Sequence, residues 1–151
     1  MPSFSVFGTK AAGATLTAAI ITSGGTSSPR TRVTQFVAST RGAPTSDTGI
    51  DISVQRATTA GTATAYTPRP VDPAETACET TAGVNATAEP TYTAASSLKD
   101  FSINPRATWT WMPYQVEGEL VIPAVASNGI GWQITAAGGA STFAVDVTFR
   151  E

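Results

Sequence analysis

The chain has 151 residues with no histidine and one cysteine, and Asp, Glu, Lys and Arg make up only 13% of it. Without histidine there can be no Ser-His-Asp triad, Cys-His dyad or imidazole-ligated metal site. The formal net charge of −2 gives no basic field for nucleic acid, so we expect a single domain (residues 1–151) with no catalytic, cofactor-binding or metal-binding residues.

Alternating apolar and polar residues predict five strands in the first half of the chain. Phe4 and Val6 alternate with serines in a short strand ending at Gly8. The next predicted strands are Ala14–Thr22, Arg30–Ala38, Ile50–Gln55 and Gly61–Tyr66. Within Arg30–Ala38, the alternation predicts one face with Arg32, Thr34, Phe36 and Ala38 and the other with Val33, Gln35 and Val37. We interpret Ala11–Ile21 as strand and not as a signal-peptide core, and no run reaches the ~20 apolar residues of a membrane span.

Residues 67–90 are the least regular part of the chain. Four prolines between Pro68 and Pro90 argue against a central strand there. Asp72 can cap a helix and Pro73 fits its first position, so we expect one or two helical turns over Pro73–Thr80. A loop of this length in a compact domain is expected to be functional or disordered.

The second half of the chain predicts five more strands. They are a strand with Leu98, Phe101 and Ile103, one with Trp109 and Trp111, then Glu119–Pro123, Gly129–Ala136 and the alternating run Phe143–Phe149. In Gly129–Ala136 the pattern places Ile130, Trp132 and Ile134 on one face, and Gly138-Gly139 predicts a turn. Eight to ten short strands of this spacing predict an all-β sandwich. We expect a jelly roll first and an immunoglobulin-like sandwich second, with one short helix in the long loop.

Titratable side chains are scattered along the chain. The acidic pairs Asp47/Asp51, Glu75/Glu79 and Glu117/Glu119 lack the oxygen density of a calcium site, so we interpret them as solvated surface. Cys78 is interpreted as an inert thiol. A hydrolase with two carboxylates would require the fold to bring two acids together.

Aromatic and arginine side chains are the better candidates for contacts. Trp109, Trp111 and Trp132 are interpreted first as core residues and second as a contact patch for a partner chain or a sugar. Tyr66 and Tyr92 flank the 67–90 loop, where we favour contact because loops carry recognition. Arg30, Arg32 and Arg56 lie on outward strand positions. They fit either solvated surface or pairing with carboxylates of another chain.

The stretch GIDISVQRATTAGTATAYTPRPVDPAETACETTAGVNATAEPTYTA (Gly49–Ala95) resembles small virion proteins of tailed bacteriophages, and GELVIPAVASNGIGWQITAAGG (Gly118–Gly139) adds to the resemblance. The resemblance implies a β-sandwich or jelly-roll subunit assembled on a capsid, as decoration and cement proteins are. It implies the major capsid protein and copies of the chain itself as partners, as a homotrimer or another homo-oligomer. It also implies assembly in the host cytoplasm and a final place on the capsid surface of the virion, with neither nucleic acid nor membrane as a partner.

We therefore expect a non-enzymatic structural protein that stabilises a phage head through interchain contacts. The contacts are expected from an N-terminal arm (residues 1–10) and the long loop (residues 67–90). The side chains predicted to make these contacts are Phe4, Phe7, Tyr66, Arg69, Val71 and Tyr92. The alternative is a carbohydrate- or receptor-binding module of a phage tail, which an exposed tryptophan patch would favour.

Overall fold

Two antiparallel sheets of six strands each pack against one another in a computed structural model that describes residues 1–11, 17–25, 29–136 and 142–151. The first sheet contains β1 (Ser3–Ala11), β3 (Arg32–Arg41), β6 (Arg69–Pro70), β9 (Trp109–Trp111), β10 (Leu120–Val121) and β12 (Thr142–Arg150). The second contains β2 (Thr17–Thr22), β4 (Ile50–Thr59), β5 (Thr62–Tyr66), β7 (Thr81–Ala88), β8 (Thr91–Ile103) and β11 (Gly129–Ala136). A 3-10 helix spans Val116–Gly118. The predicted all-β sandwich is confirmed, whereas the jelly-roll connectivity stays a prediction.

Strand order fixes which parts of the chain form the edges. The first sheet runs β10-β3-β12-β1-β6, and β9 pairs with β3 on the same edge as β10. The second sheet runs β5-β7-β2-β11-β4-β8. The outer strands β6, β9 and β10 of the first sheet are only two or three residues long, whereas β8, at one edge of the second sheet, spans 13 residues.

The core forms where inward-facing residues of the two sheets meet. On β12 the predicted alternation is correct: Phe143, Val145, Val147 and Phe149 are all fully buried. On β11 the predicted face of Ile130, Trp132 and Ile134 is likewise buried. Both strands lie inside their sheets, so the sandwich covers their apolar faces completely.

The predicted faces of β3 are wrong at its start. Gln35 pairs with Thr148 but Val33 pairs with Phe149, so Thr34 is an extra residue in a β-bulge. The bulge resets the alternation and brings Val33 onto the same buried face as Phe36. A period of two read directly from the sequence cannot anticipate this extra residue.

The predicted long loop over residues 67–90 is also wrong. The chain forms β6 and then β7, and β7 lies inside the second sheet between β5 and β2. The prolines fall outside β7, so they do not interrupt its hydrogen bonding. The predicted helix over Pro73–Thr80 is absent; instead Asp72 caps a single turn, accepting hydrogen bonds from Ala74 N at its carboxylate (2.9 Å) and from Glu75 N at its carbonyl (3.0 Å).

The N-terminal residues do not form a free arm. β1 pairs with β12 over its whole length and with β6 at Phe4 and Ser5. The strand does not end at Gly8 but continues to Ala11. A Cβ on Gly8 would collide with the Ala18 carbonyl oxygen of β2. Glycine is therefore needed where the two sheets approach closely. The predicted turn at Gly138-Gly139 and the start of the predicted strand at Ala14 lie outside the described residues.

Candidate contact surfaces

Large apolar side chains are exposed at the two opposite edges of the first sheet. At the β6 edge, Val71 directly follows the strand and is 63% exposed, and Met1 precedes β1 and is 73% exposed. At the β9/β10 edge, Met112 and Tyr114 are 63% and 98% exposed. Exposed Met and Tyr are typical of protein interfaces, where both residue types are enriched.

Of the six predicted contact residues, three are on the surface. Arg69 and Val71 lie at the β6 edge, and Phe7 on β1 is 40% exposed with the Arg41 guanidinium 5.7 Å from its ring centre. The prediction for Phe4 needs correction, because its ring is 1% exposed and stacks on Phe149 inside the core. An inward position on a paired strand leaves no surface for another chain.

The two predicted tyrosines are half-buried within their own subunit. Tyr66 packs against the core at the end of β5. The Tyr92 hydroxyl lies 2.8 Å from Thr17 Oγ1, which donates to Glu89 Oε2 at 2.5 Å. Since the single Thr17 proton goes to Glu89, Tyr92 donates to Thr17. Burial, with the Glu89 charge, raises the pKa of Tyr92 well above its ordinary value, which keeps the phenol a donor.

The 112–118 loop was missed by sequence reasoning. It leaves the sheet after Trp111, which pairs with Phe36, and returns at Leu120, which pairs with Val33. Gly118 N donates to Gln115 O (2.9 Å), so the loop turns back towards the sheet. Two large apolar residues flanking Pro113 after a tryptophan strand were the available signal, since proline ends the strand while the apolar residues continue.

Positive charge gathers beside β10. Glu119, whose side chain is 5% exposed, binds Arg150 (Nη2 to Oε1, 2.7 Å) and Arg32 (Nη1 to Oε2, 3.5 Å). Arg30 is exposed two residues before the start of β3. Because one buried carboxylate faces two arginines, the surface here remains positive.

Negative charge gathers beside β6. The segment 71–79 holds three charged residues, Asp72, Glu75 and Glu79, and all three are exposed. Together with Val71, they make the end of the β6 edge both apolar and acidic.

A polar junction joins the two sheets near this acidic segment. Glu151 Oε1 accepts hydrogen bonds from Thr80 N (2.6 Å) and Cys78 Sγ (3.2 Å), and Oε2 accepts from Glu79 N (3.2 Å). Burial alone would raise the pKa of Glu151, but these hydrogen bonds outweigh it and hold the pKa below its ordinary value. Burial and the Glu151 carboxylate raise the pKa of Cys78 to about 12, so the thiol stays protonated at neutral pH.

A shallow depression on the outer face of the second sheet holds two carboxylates, those of Asp51 and Asp100. Hydrogen bonds from Ser53 (2.5 Å) and Ser97 lower the pKa of Asp100. Ser102 donates to Asp51. Both acids therefore face serine hydroxyls. Across the described ranges, no group of three or more His, Cys, Asp or Glu residues is placed to hold a metal ion.

The tryptophans belong to one aromatic cluster and do not form an exposed patch. Trp132 is fully buried, and Trp109 and Trp111 are half-buried. Phe36 lies at the centre, with its ring 5.2–5.8 Å from all three indoles. Phe101 stacks on Trp109 at 4.1 Å. The core interpretation is thus correct for Trp132, and the other two cover the cluster at the β9 edge.

Comparison with known proteins adds no relative: no protein-family model matches the chain, and no curated protein matches it significantly. In the part of the chain that the structure describes, no helix is long and apolar enough to span a bilayer.

Proposed function

We propose that the protein is a non-enzymatic assembly subunit that stabilises a phage capsid as a decoration or cement protein. The observation that carries this proposal is the exposure of large apolar side chains at opposite edges of the first sheet, Met1 and Val71 at one edge and Met112 and Tyr114 at the other. Exposed side chains such as Tyr114 and Val71 are costly to leave in water, and burial against neighbouring chains would recover that free energy.

Two features of the surface agree with a role in a crowded shell. Only 13% of the residues are charged and the formal net charge is −2, so copies packed side by side repel one another weakly. At the two edges of the first sheet the outer strands are only two or three residues long, so the contacts that these edges offer come from exposed apolar side chains. A subunit that binds only the assembled shell stabilises it by mass action.

The alternative, a carbohydrate- or receptor-binding module of a phage tail, has less support. It would be favoured by exposed tryptophans, and all three tryptophans instead join the aromatic cluster around Phe36. The structural-subunit proposal therefore takes precedence.

Particles of the source phage provide the test. Mass spectrometry of purified virions and immunogold labelling are expected to find many copies of the chain on the head. Heads reconstituted with the protein are expected to melt at a higher temperature than heads without it. A chain present in infected-cell lysate but absent from particles, or located only on tails, would overturn the proposal.

A further inference from the structure

We infer that copies of this chain associate head-to-tail, with the β10 patch of one copy binding the β6 patch of the next. The β10 patch comprises Arg30, Arg32, Met112, Tyr114 and Val125, a residue that follows β10 and is 46% exposed. The β6 patch comprises Met1, Arg69, Val71, Asp72 and Glu75. The inference deepens the proposed function and rests on it, since it names the partner surface that an assembly subunit would use.

The positions of the two patches at opposite edges of the first sheet favour head-to-tail contact. The two patches lie at opposite ends of the order β10-β3-β12-β1-β6, so one copy cannot cover both of its own patches. A contact between two different patches leaves one of each free after the first pairing. Such heterologous contacts continue to the next copy and close into a ring when the rotation permits.

Charge argues that each patch prefers the other patch to itself. The β10 patch contributes the exposed Arg30 and the half-exposed Arg32, which shares the Glu119 carboxylate with Arg150, whereas the β6 patch contributes Asp72 and Glu75. Two β6 patches facing each other would oppose carboxylates, and two β10 patches would oppose guanidinium groups. Like-charge contacts of this kind suppress self-pairing, while the unlike pair is attractive.

The remaining charges also match. Arg69 is the one cation of the β6 patch, and Glu117 in the exposed 112–118 loop is an acid beside the β10 patch. Each patch thus offers an apolar centre flanked by charges opposite to those of its partner. Tyr114, 98% exposed, supplies the side chain best suited to anchor the contact.

The inference is tested with two purified variants, Tyr114→Glu and Val71→Glu, each altering one patch at an exposed position. The wild-type protein is expected to form a discrete oligomer in analytical ultracentrifugation, and each variant alone is expected to be a 15.5 kDa monomer. An equimolar mixture retains one intact pairing and is expected to give a heterodimer and nothing larger. A native β-sheet circular dichroism spectrum and a cooperative melting transition establish that both variants fold, while the melting temperature is expected to fall with the loss of association.

The outcomes separate this inference from the proposed function. A variant that still dimerises alone would show self-pairing of the intact patch and would overturn the head-to-tail arrangement. A monomeric wild-type protein found on phage heads would end the inference and leave the capsid role standing. An oligomer that behaves as expected but is absent from virions would support head-to-tail association and overturn the capsid role.

A charge reversal sharpens the test. Arg30→Glu is expected to weaken self-association at least about tenfold, because it opposes the acidic β6 patch with another carboxylate. Arg41→Glu is the matched control, since Arg41 is exposed at the end of β3 that lies away from Arg30. Equal affinities of the two variants would overturn the assignment of charge pairing.

Discussion

The two sides of the sandwich are packed in opposite ways. On the β4/β8/β9 side, large rings fill the space between the sheets. The ring centre of Phe36 lies 6.0 Å from that of Phe101 and 5.8 Å from that of Trp132. On the β1/β2/β7 side, the sheets come so close that Gly8 has no room for a Cβ against Ala18. Lys10 closes this second side by donating to Ala86 O of β7 (2.5 Å).

The difference shows that one core can lose stability in two ways, by the removal of side-chain atoms on one side and by the addition of atoms on the other. Packed sheets normally lie about 10 Å apart, a gap that side chains of both sheets must fill. On the aromatic side large rings fill this gap, so a substitution that removes ring atoms leaves a cavity. The glycine side has no gap to fill, so adding atoms forces backbone apart. The predictions below test these two kinds of sensitivity, beginning with the largest effect.

Trp132→Ala is expected to destabilise the fold most, by about 3–5 kcal/mol, because it opens a cavity beside Phe36 in a fully buried site. Urea unfolding followed by fluorescence or circular dichroism measures the loss.

Trp132→Phe is the control for this prediction. It keeps a ring in place and removes the indole Nε1, a buried donor without a hydrogen-bond partner among the residues that the structure describes. A smaller loss than for alanine is expected, because deleting an unsatisfied donor offsets part of the lost packing. Equal losses in the two variants would contradict a role for ring volume on this side.

Gly8→Ala is expected to cost about 1–3 kcal/mol although it adds one carbon, because the new Cβ meets the Ala18 carbonyl oxygen and the Ala19 Cβ (2.9 Å). Gly49→Ala serves as the matched control, since its Cβ would make only an ordinary contact 3.8 Å from Ile103 O. Urea midpoints of the two variants decide the matter. If Gly8→Ala were as stable as Gly49→Ala, the close approach of β1 and β2 would be disproved.

Sequence alone predicted the strands whose environment is uniform. β11 and β12 lie inside their sheets with one face on the core, so hydrophobic burial imposes a strict period of two that the sequence displays. At β3 the bulge after Val33 broke that rule, because partner strands and not local sequence determine where an extra residue is accommodated.

The candidate surfaces were harder to predict for a similar reason. Val71 and Arg69 lie on the surface, as proline-rich segments at sheet edges often do, and their predicted interchain contacts stay a prediction. The prediction failed for Phe4, since an aromatic near the N-terminus does not reveal which strand will cover it. The β7 strand was missed because Thr, Ala and Gly carry little hydrophobic pattern, so its place between β2 and β5 depends on tertiary pairing.

Glu151→Gln tests the polar junction near the start of β7, with an expected loss of about 1 kcal/mol at neutral pH for a partly exposed carboxylate. The folded pKa of Glu151 lies below its ordinary value of 4.5, so its stabilisation is present above that pH and is lost as pH falls through the folded pKa. The variant should therefore lose less stability than the wild type on acidification. Parallel curves of melting temperature against pH for the two proteins would contradict this linkage.

The smallest effect on stability is expected at Cys78, where the same junction changes the reactivity of the thiol instead. Burial and Glu151 raise the pKa of Cys78 to about 12, so the thiolate fraction at pH 8 is far below that of an unperturbed thiol. Alkylation by iodoacetamide should therefore be slower in the folded protein than in urea, by at least about tenfold. In Glu151→Gln the rate should rise, because the carboxylate that accepts the thiol hydrogen bond is gone, while burial keeps it below the rate in urea. Equal rates in the folded and unfolded wild type would contradict the junction as described, and an unchanged rate in the variant would assign the protection to burial alone.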